Sequence, residues 1–118
     1  MEATIRGKAV QAANAFLSRK GYEILEEGWA HGADVADIVA KDGDAGCLVI
    51  ADVLVKDDGL DMPEEKPDRD KFERIAAAYL AGLDEATDFS IRYDIISILV
   101  INSGKALLRH HINALGTL

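Results

Sequence analysis

Cysteine, proline and tryptophan are nearly absent: the 118 residues hold one, two and one of them. A lone Cys47 leaves no internal disulfide and no Cys/His spacing for zinc, so a cystine-stapled secreted scaffold and a zinc module are both excluded. Aromatic residues make up only 6%, too few for a basic and aromatic platform that stacks single-stranded bases. No apolar run approaches the roughly 20 residues of a membrane-spanning helix, and Ile95 to Ile101 is the longest strongly apolar stretch. The opening MEATIRGKAVQAANAF mixes charge into its first turns, unlike a secretory leader. The expectation is a soluble, cytoplasmic chain with no membrane partner. Bases are also short, 13 against 21 acids for a net charge of −8, which opposes tight nonspecific contact with phosphate backbones.

What is present fits one globular domain over 1–118. The chain is 49% hydrophobic with 10 Gly, and a length near 120 residues can bury roughly two-thirds of its unfolded surface. The acidity is concentrated: DDGLDMPEEKPDRD, Asp57 to Asp70, carries seven acids against two bases and both prolines, and it reads as a solvated loop.

Apolar residues at Ile5, Ala9, Ala12, Ala13, Phe16 and Leu17 form one helical stripe over Thr4 to Lys20, with Thr4 as expected N-cap and Gly21 beyond the end. Three β-type segments follow at Tyr22 to Trp29, Asp34 to Lys41 and Cys47 to Lys56, divided by turn residues and expected to form an antiparallel meander. CLVIADVLV is apolar apart from Asp52 and reads as a central strand covered on both faces. A second stripe, Phe72, Ile75, Ala76, Tyr79 and Leu80, places a helix over Asp68 to Gly82. Strands at Phe89 to Ile101 and Lys105 to His111 complete the order αβββαββ. A helical crossover between strands requires a parallel pair, so the expected fold is α/β, a mixed sheet of about five strands flanked by helices.

Two carboxylates interrupt apolar strands. Asp37 lies in the second and Asp52 in the third, and neighbouring strands run about 4.8 Å apart, so a suitable register brings the pair within reach of one divalent cation. The competing expectation is structural: Asp37 at a strand end in water, or Asp52 paired with Arg92 or Lys71. Lys71 on the second helix is a mobile cation whose ordinary role would be pairing with Asp68 or Asp70. His110 and His111 are consecutive on a strand and face opposite ways, so they do not share one metal. His31 reads as a solvated loop residue and Trp29 as core.

GYEIL, Trp29, ADIVAKDG, LVIADVLVK, KFERIAAAYL, IRYDIISI and HHINAL, in this order and spacing, resemble the small YraN-type bacterial proteins, a largely uncharacterised family with the restriction-endonuclease-like fold. The resemblance implies an αβββαβ core and a metal-dependent nuclease site. It assigns Asp37 and Asp52 to Mg²⁺ binding and catalysis, and it places Lys71, Arg74, Arg92, Asp94 and His111 on family-like positions. It also exposes departures: Val10-Gln11 stands where the family has Gly-Glu, Asp34-Val35 replaces a second Gly-Glu, and Leu54 occupies the position of the catalytic lysine. Lys56 lies about 13 Å beyond Asp52 at about 3.3 Å per residue, too far to stand in.

Three functions follow as expectations. The first is a nuclease-like domain with eroded catalysis, retained for binding nucleic acid or protein. The second is an active endonuclease on branched or flapped DNA or RNA, with Lys71 as the migrated lysine. The third is an interaction module or homodimer joined through the apolar Ile95 to Ile101 strand or the edge at Lys105 to His111.

Overall fold

The computed structural model describes residues 2–58, 61–83, 90–102 and 104–116, without the side chains of 2–4. Helix α1 (Glu2–Arg19) is followed by β1 (Tyr22–His31), β2 (Asp34–Asp42) and β3 (Cys47–Lys56), then α2 (Arg69–Ala81), β4 (Ser90–Asn102) and β5 (Lys105–His111). The five strands form one sheet in sequence order. β1, β2 and β3 make the expected antiparallel meander, β3 and β4 are parallel across the α2 crossover, and β5 returns antiparallel along β4. This is the α/β mixed sheet flanked by two helices that the residue pattern requires, and it matches a restriction-endonuclease-like core.

Each helix buries its stripe on a different face. Ala9, Ala13 and Leu17 of α1 pack over Ile38, Val49, Ala51 and Ile96, whereas Ile75 and Tyr79 of α2 pack over Leu48, Ile50, Tyr93 and Ile95. Strand alternation sends odd-numbered and even-numbered β3 residues to opposite layers, which is why this central strand is apolar along nearly its whole length. Asp52 breaks that run on the α2 side.

Two terminal features differ in detail from the residue pattern. α1 begins at Glu2, so Thr4 lies inside the helix and is not its cap; no Gly or Pro stops the helix earlier. The expected start of β4 at Phe89 and the turn residue Ser103 lie outside the described residues. At the other end of α1, Gly21 takes φ 92, the left-handed conformation that a helix stop favours. For α2, Asp68 is the N-cap, its carboxylate accepting the Lys71 backbone N–H at 3.1 Å.

Candidate functional site

The β2–β3 ladder runs from Asp42 opposite Cys47 to Ile38 opposite Ala51 and ends there. The pairing thus stops one residue short of Asp37 and Asp52, and the ladder does not set these two carboxylates opposite each other. Beyond that point the Asp37 side chain takes over from the backbone of β2: one oxygen accepts the Val53 N–H at 2.8 Å. Its other oxygen accepts from the Arg6 guanidinium at 2.6 Å, and Arg6 also donates to the Val53 carbonyl at 2.9 Å. Asp37 and Arg6 therefore satisfy the backbone of Val53 where the ladder stops, which is a structural role for both.

Asp52 points to the α2 layer. Its carboxylate accepts the Tyr93 hydroxyl at 2.7 Å, and the Lys71 ammonium stands 3.8 Å from the same oxygen. Burial pushes the Asp52 carboxyl above its ordinary range, and the nearby Asp37 charge adds to the rise; Tyr93 and Lys71 act the other way without cancelling it. Burial and the Asp52 hydrogen bond likewise push the Tyr93 hydroxyl strongly upward, so it remains a donor. Lys71 thus reaches Asp52, while its backbone N–H takes the Asp68 cap.

Asp52, Tyr93 and Lys71 line a cavity of about 380 Å³ together with Glu64, Lys66 and Asp68. Asp37 is not among the residues lining it. The acidic segment, expected to be a solvated connector, here forms one wall of the cavity and is fastened at Glu65, whose side chain is only 12% exposed. Among the described residues no cluster of three or more His, Cys, Asp or Glu side chains is arranged to hold a metal ion.

The other candidates separate. Arg92 does not meet Asp52, because alternation along β4 places Arg92 and Asp94 on the α1 layer while Tyr93 faces α2. Arg92 forms a two-pronged pair with Asp94 at 2.8 and 3.0 Å and reaches Asp42 at 3.1 Å and the Tyr22 hydroxyl at 2.6 Å. Asp94, 0% exposed, also contacts His110 Nε2 at 2.8 Å and accepts the Asn113 N–H at 2.9 Å. His110 Nδ1 lies 3.0 Å from the Lys20 ammonium, which carries no acceptor, so Nδ1 accepts and Nε2–H donates to Asp94. Burial pushes the Asp94 carboxyl up, yet the His110, Arg92 and Asn113 hydrogen bonds outweigh it and hold the carboxyl below its usual range.

His111 faces the opposite layer from His110 and meets Glu65 at 2.6 Å. Arg74 pairs with Asp34 at 2.8 Å, Lys56 pairs with Asp58 at 3.2 Å, and His31 stacks on Trp29, which itself packs edge-on against Tyr79. Arg6, Tyr93 and Glu65 were not singled out by sequence reasoning. Arg6 and Glu65 meet partners 31 or more positions away and leave no local pattern; Tyr93 is legible only once Asp52 and Tyr93 are known to share a face.

Residues 10–98 match the model of a family described as uncharacterised protein family UPF0102. A UPF0102 protein of Chlorobaculum tepidum is 31% identical over 80% of this chain and 74% of its own length. One from Pelobacter propionicus is 30% identical over 92% and 79%, and one from Dictyoglomus thermophilum is 32% identical over 78% and 79%.

Proposed function

This chain belongs to the uncharacterised protein family UPF0102, the YraN type of bacterial proteins, and on that premise we propose that it is a restriction-endonuclease-like domain with an incomplete cleavage site, acting by binding and not by hydrolysis. The observation that carries this reading is the neutralisation of both site carboxylates from within the chain. Arg6 and the Val53 N–H occupy the two oxygens of Asp37, and Lys71 and Tyr93 occupy one oxygen of Asp52. Two acids are matched by two cations before any metal arrives. Mg²⁺ demands near-octahedral oxygen donors and gains affinity from ligand charge, so this donor set does not fit it. Leu54 also supplies no proton or charge to a leaving oxygen.

A protein partner suits the net charge of −8 better than DNA or RNA. β5 is an edge strand carrying Leu107 at 51% exposure, so partner association along this edge, by another protein or a second copy, is the form such binding takes. One observation favours the rival reading of an active endonuclease: Lys71 does stand beside Asp52. Incubation of the chain with duplex, flapped, branched and single-stranded DNA and RNA in 10 mM Mg²⁺ or Mn²⁺ decides between them. We expect intact substrates. Cleavage that disappears in Asp52→Ala would overturn the binding reading and establish the enzyme.

A further inference from the structure

The acidic segment is fastened to the sheet through one residue. Ser97 of β4 and Arg109 of β5 are directly paired in the ladder, and His111 lies two residues along β5 on the same face. All three converge on one carboxylate, that of Glu65: Ser97 Oγ and Arg109 Nη2 each donate at 3.0 Å to Oε2, and His111 Nδ1 meets Oε1 at 2.6 Å. A hydroxyl, a guanidinium and an imidazole around one oxyanion make a charge-assisted anion site. Burial alone pushes the Glu65 carboxyl upward, yet these donors hold it below its usual range.

The occupant is presented in a particular way. Glu65 lies between Pro63 and Pro67, and residues 62–68 carry neither helix nor strand. Proline fixes its own φ and biases the preceding residue, here Met62 and Lys66, toward extended backbone, so Glu65 is carried on a segment stiffened on both sides. The site is not sealed around it. Arg109 and His111 remain about half exposed, and Leu107, on the same face of β5, is 51% exposed beside them.

We propose that Ser97, Arg109 and His111 form a recognition site for a single carboxylate on an extended segment of a partner protein, with Glu65 as the tethered occupant that the partner displaces. Displacement frees the strap bearing Glu64 and Lys66 from the wall of the Asp52 cavity, while Asp68 stays as the cap of α2. The inference deepens the binding reading above and rests on it. A tethered occupant acts at an effective concentration in the millimolar range for a short linker, so the intact chain holds the site against weak competitors.

The test uses the full chain and a fluorescein-labelled peptide of the strap's own sequence, DMPEEKPD, followed by anisotropy. Glu65→Ala is expected to bind this peptide at least tenfold tighter than the parent chain. Gln at the peptide position equivalent to Glu65, or Arg109→Gln added to Glu65→Ala, is expected to reverse that gain. Equal binding by parent and Glu65→Ala chains, or binding indifferent to the Gln replacement, would overturn the proposal. Inorganic phosphate is the second arm: phosphate binding tighter than the peptide would make this a site for a free anion and overturn the peptide assignment. Thermal melting checks that Glu65→Ala folds. If it does not, Glu65→Gln, which keeps an acceptor for Ser97, replaces it, and the parent chain saturated with peptide is read by the His111 ring signals in NMR, where unchanged shifts count against the site. Failure here is distinguishable from failure of the binding reading, which the metal-dependent cleavage assay reads on the parent chain without peptide.

Discussion

Asp52 and Asp94 are both carboxylates enclosed in this sheet, and their surroundings give them opposite energetic signs. Asp94 receives Arg92, His110 and the Asn113 N–H, so removing it strands a buried guanidinium and an imidazole. Breaking a buried ion pair by deleting one partner costs about 3–5 kcal/mol. Asp94→Ala is expected to lower unfolding stability by that amount in urea titration. Asp52 has Tyr93 and a partly exposed Lys71 at 3.8 Å, and its charge is disfavoured by burial. Asp52→Asn keeps an acceptor for Tyr93 and removes the buried charge, so the same titration should show a change within about 1 kcal/mol. A large loss in Asp52→Asn would mean that the Lys71 pair is a principal stabilising contact. Residue by residue, the sequence made Asp37 and Asp52 conspicuous, because a charge inside an apolar strand stands out. It offered Arg92 or Lys71 to Asp52 and no base to Asp37, and the structure sets Lys71 beside Asp52. Arg92 was a candidate for Asp52, and alternation along β4 gives it to Asp94.

The elements were the most legible part of the molecule. Helical stripes, β alternation and the Gly-rich turns located all seven elements of the described residues, and the crossover of α2 required the β3–β4 pair to be parallel. The helix was read over Asp68 to Gly82, and geometry makes Asp68 its N-cap. Asp68→Ala should cost about 1 kcal/mol, measured by urea unfolding, with the loss recovered by Asp68→Ser, a residue that caps equally well. Failure of Ser to recover it would show that the charge on the cavity wall, and not the cap, is the stabilising feature. What periodicity could not show was the behaviour of segments without a period. The acidic strap reads as a solvated connector by composition, and its attachment through Glu65 depends on three side chains brought together only by the β4–β5 register. The end of the β2–β3 ladder was equally hidden, since pairing length is settled by where the strands diverge. That divergence is what turns Asp37 from an open ligand into a partner of Val53.

Across the whole molecule, stability and charge should follow pH in a defined way. Asp94, Asp42 and Glu65 all have carboxyls held below their ordinary range, in each case because donors outweigh the upward push of burial. Their contribution is fully present above the ordinary carboxyl range near 4 and is lost as pH falls through the lowered values. Asp52 has a raised carboxyl, so its contribution has the opposite sign: it is present at low pH and lost as pH rises through the raised value. These three depressed groups, with Asp34 a fourth held down at the surface by Arg74, against one raised group predict that the unfolding midpoint declines steeply below about pH 4 and shows only a shallow fall on the alkaline side of the carboxyl range. A midpoint that instead increases on acidification would show that burial dominates Asp94, Asp42, Glu65 and Asp52.

Arg6 and Lys71 already neutralise the carboxylates that a nuclease would offer to metal. Mn²⁺ titration of the intact chain, followed by the electron paramagnetic resonance signal of the free ion, reads whether they do. No saturable site is expected at millimolar Mn²⁺, and Arg6→Gln plus Lys71→Gln should raise affinity by releasing both acids. A saturable site in the parent chain that is lost in Asp52→Asn would contradict that neutralisation.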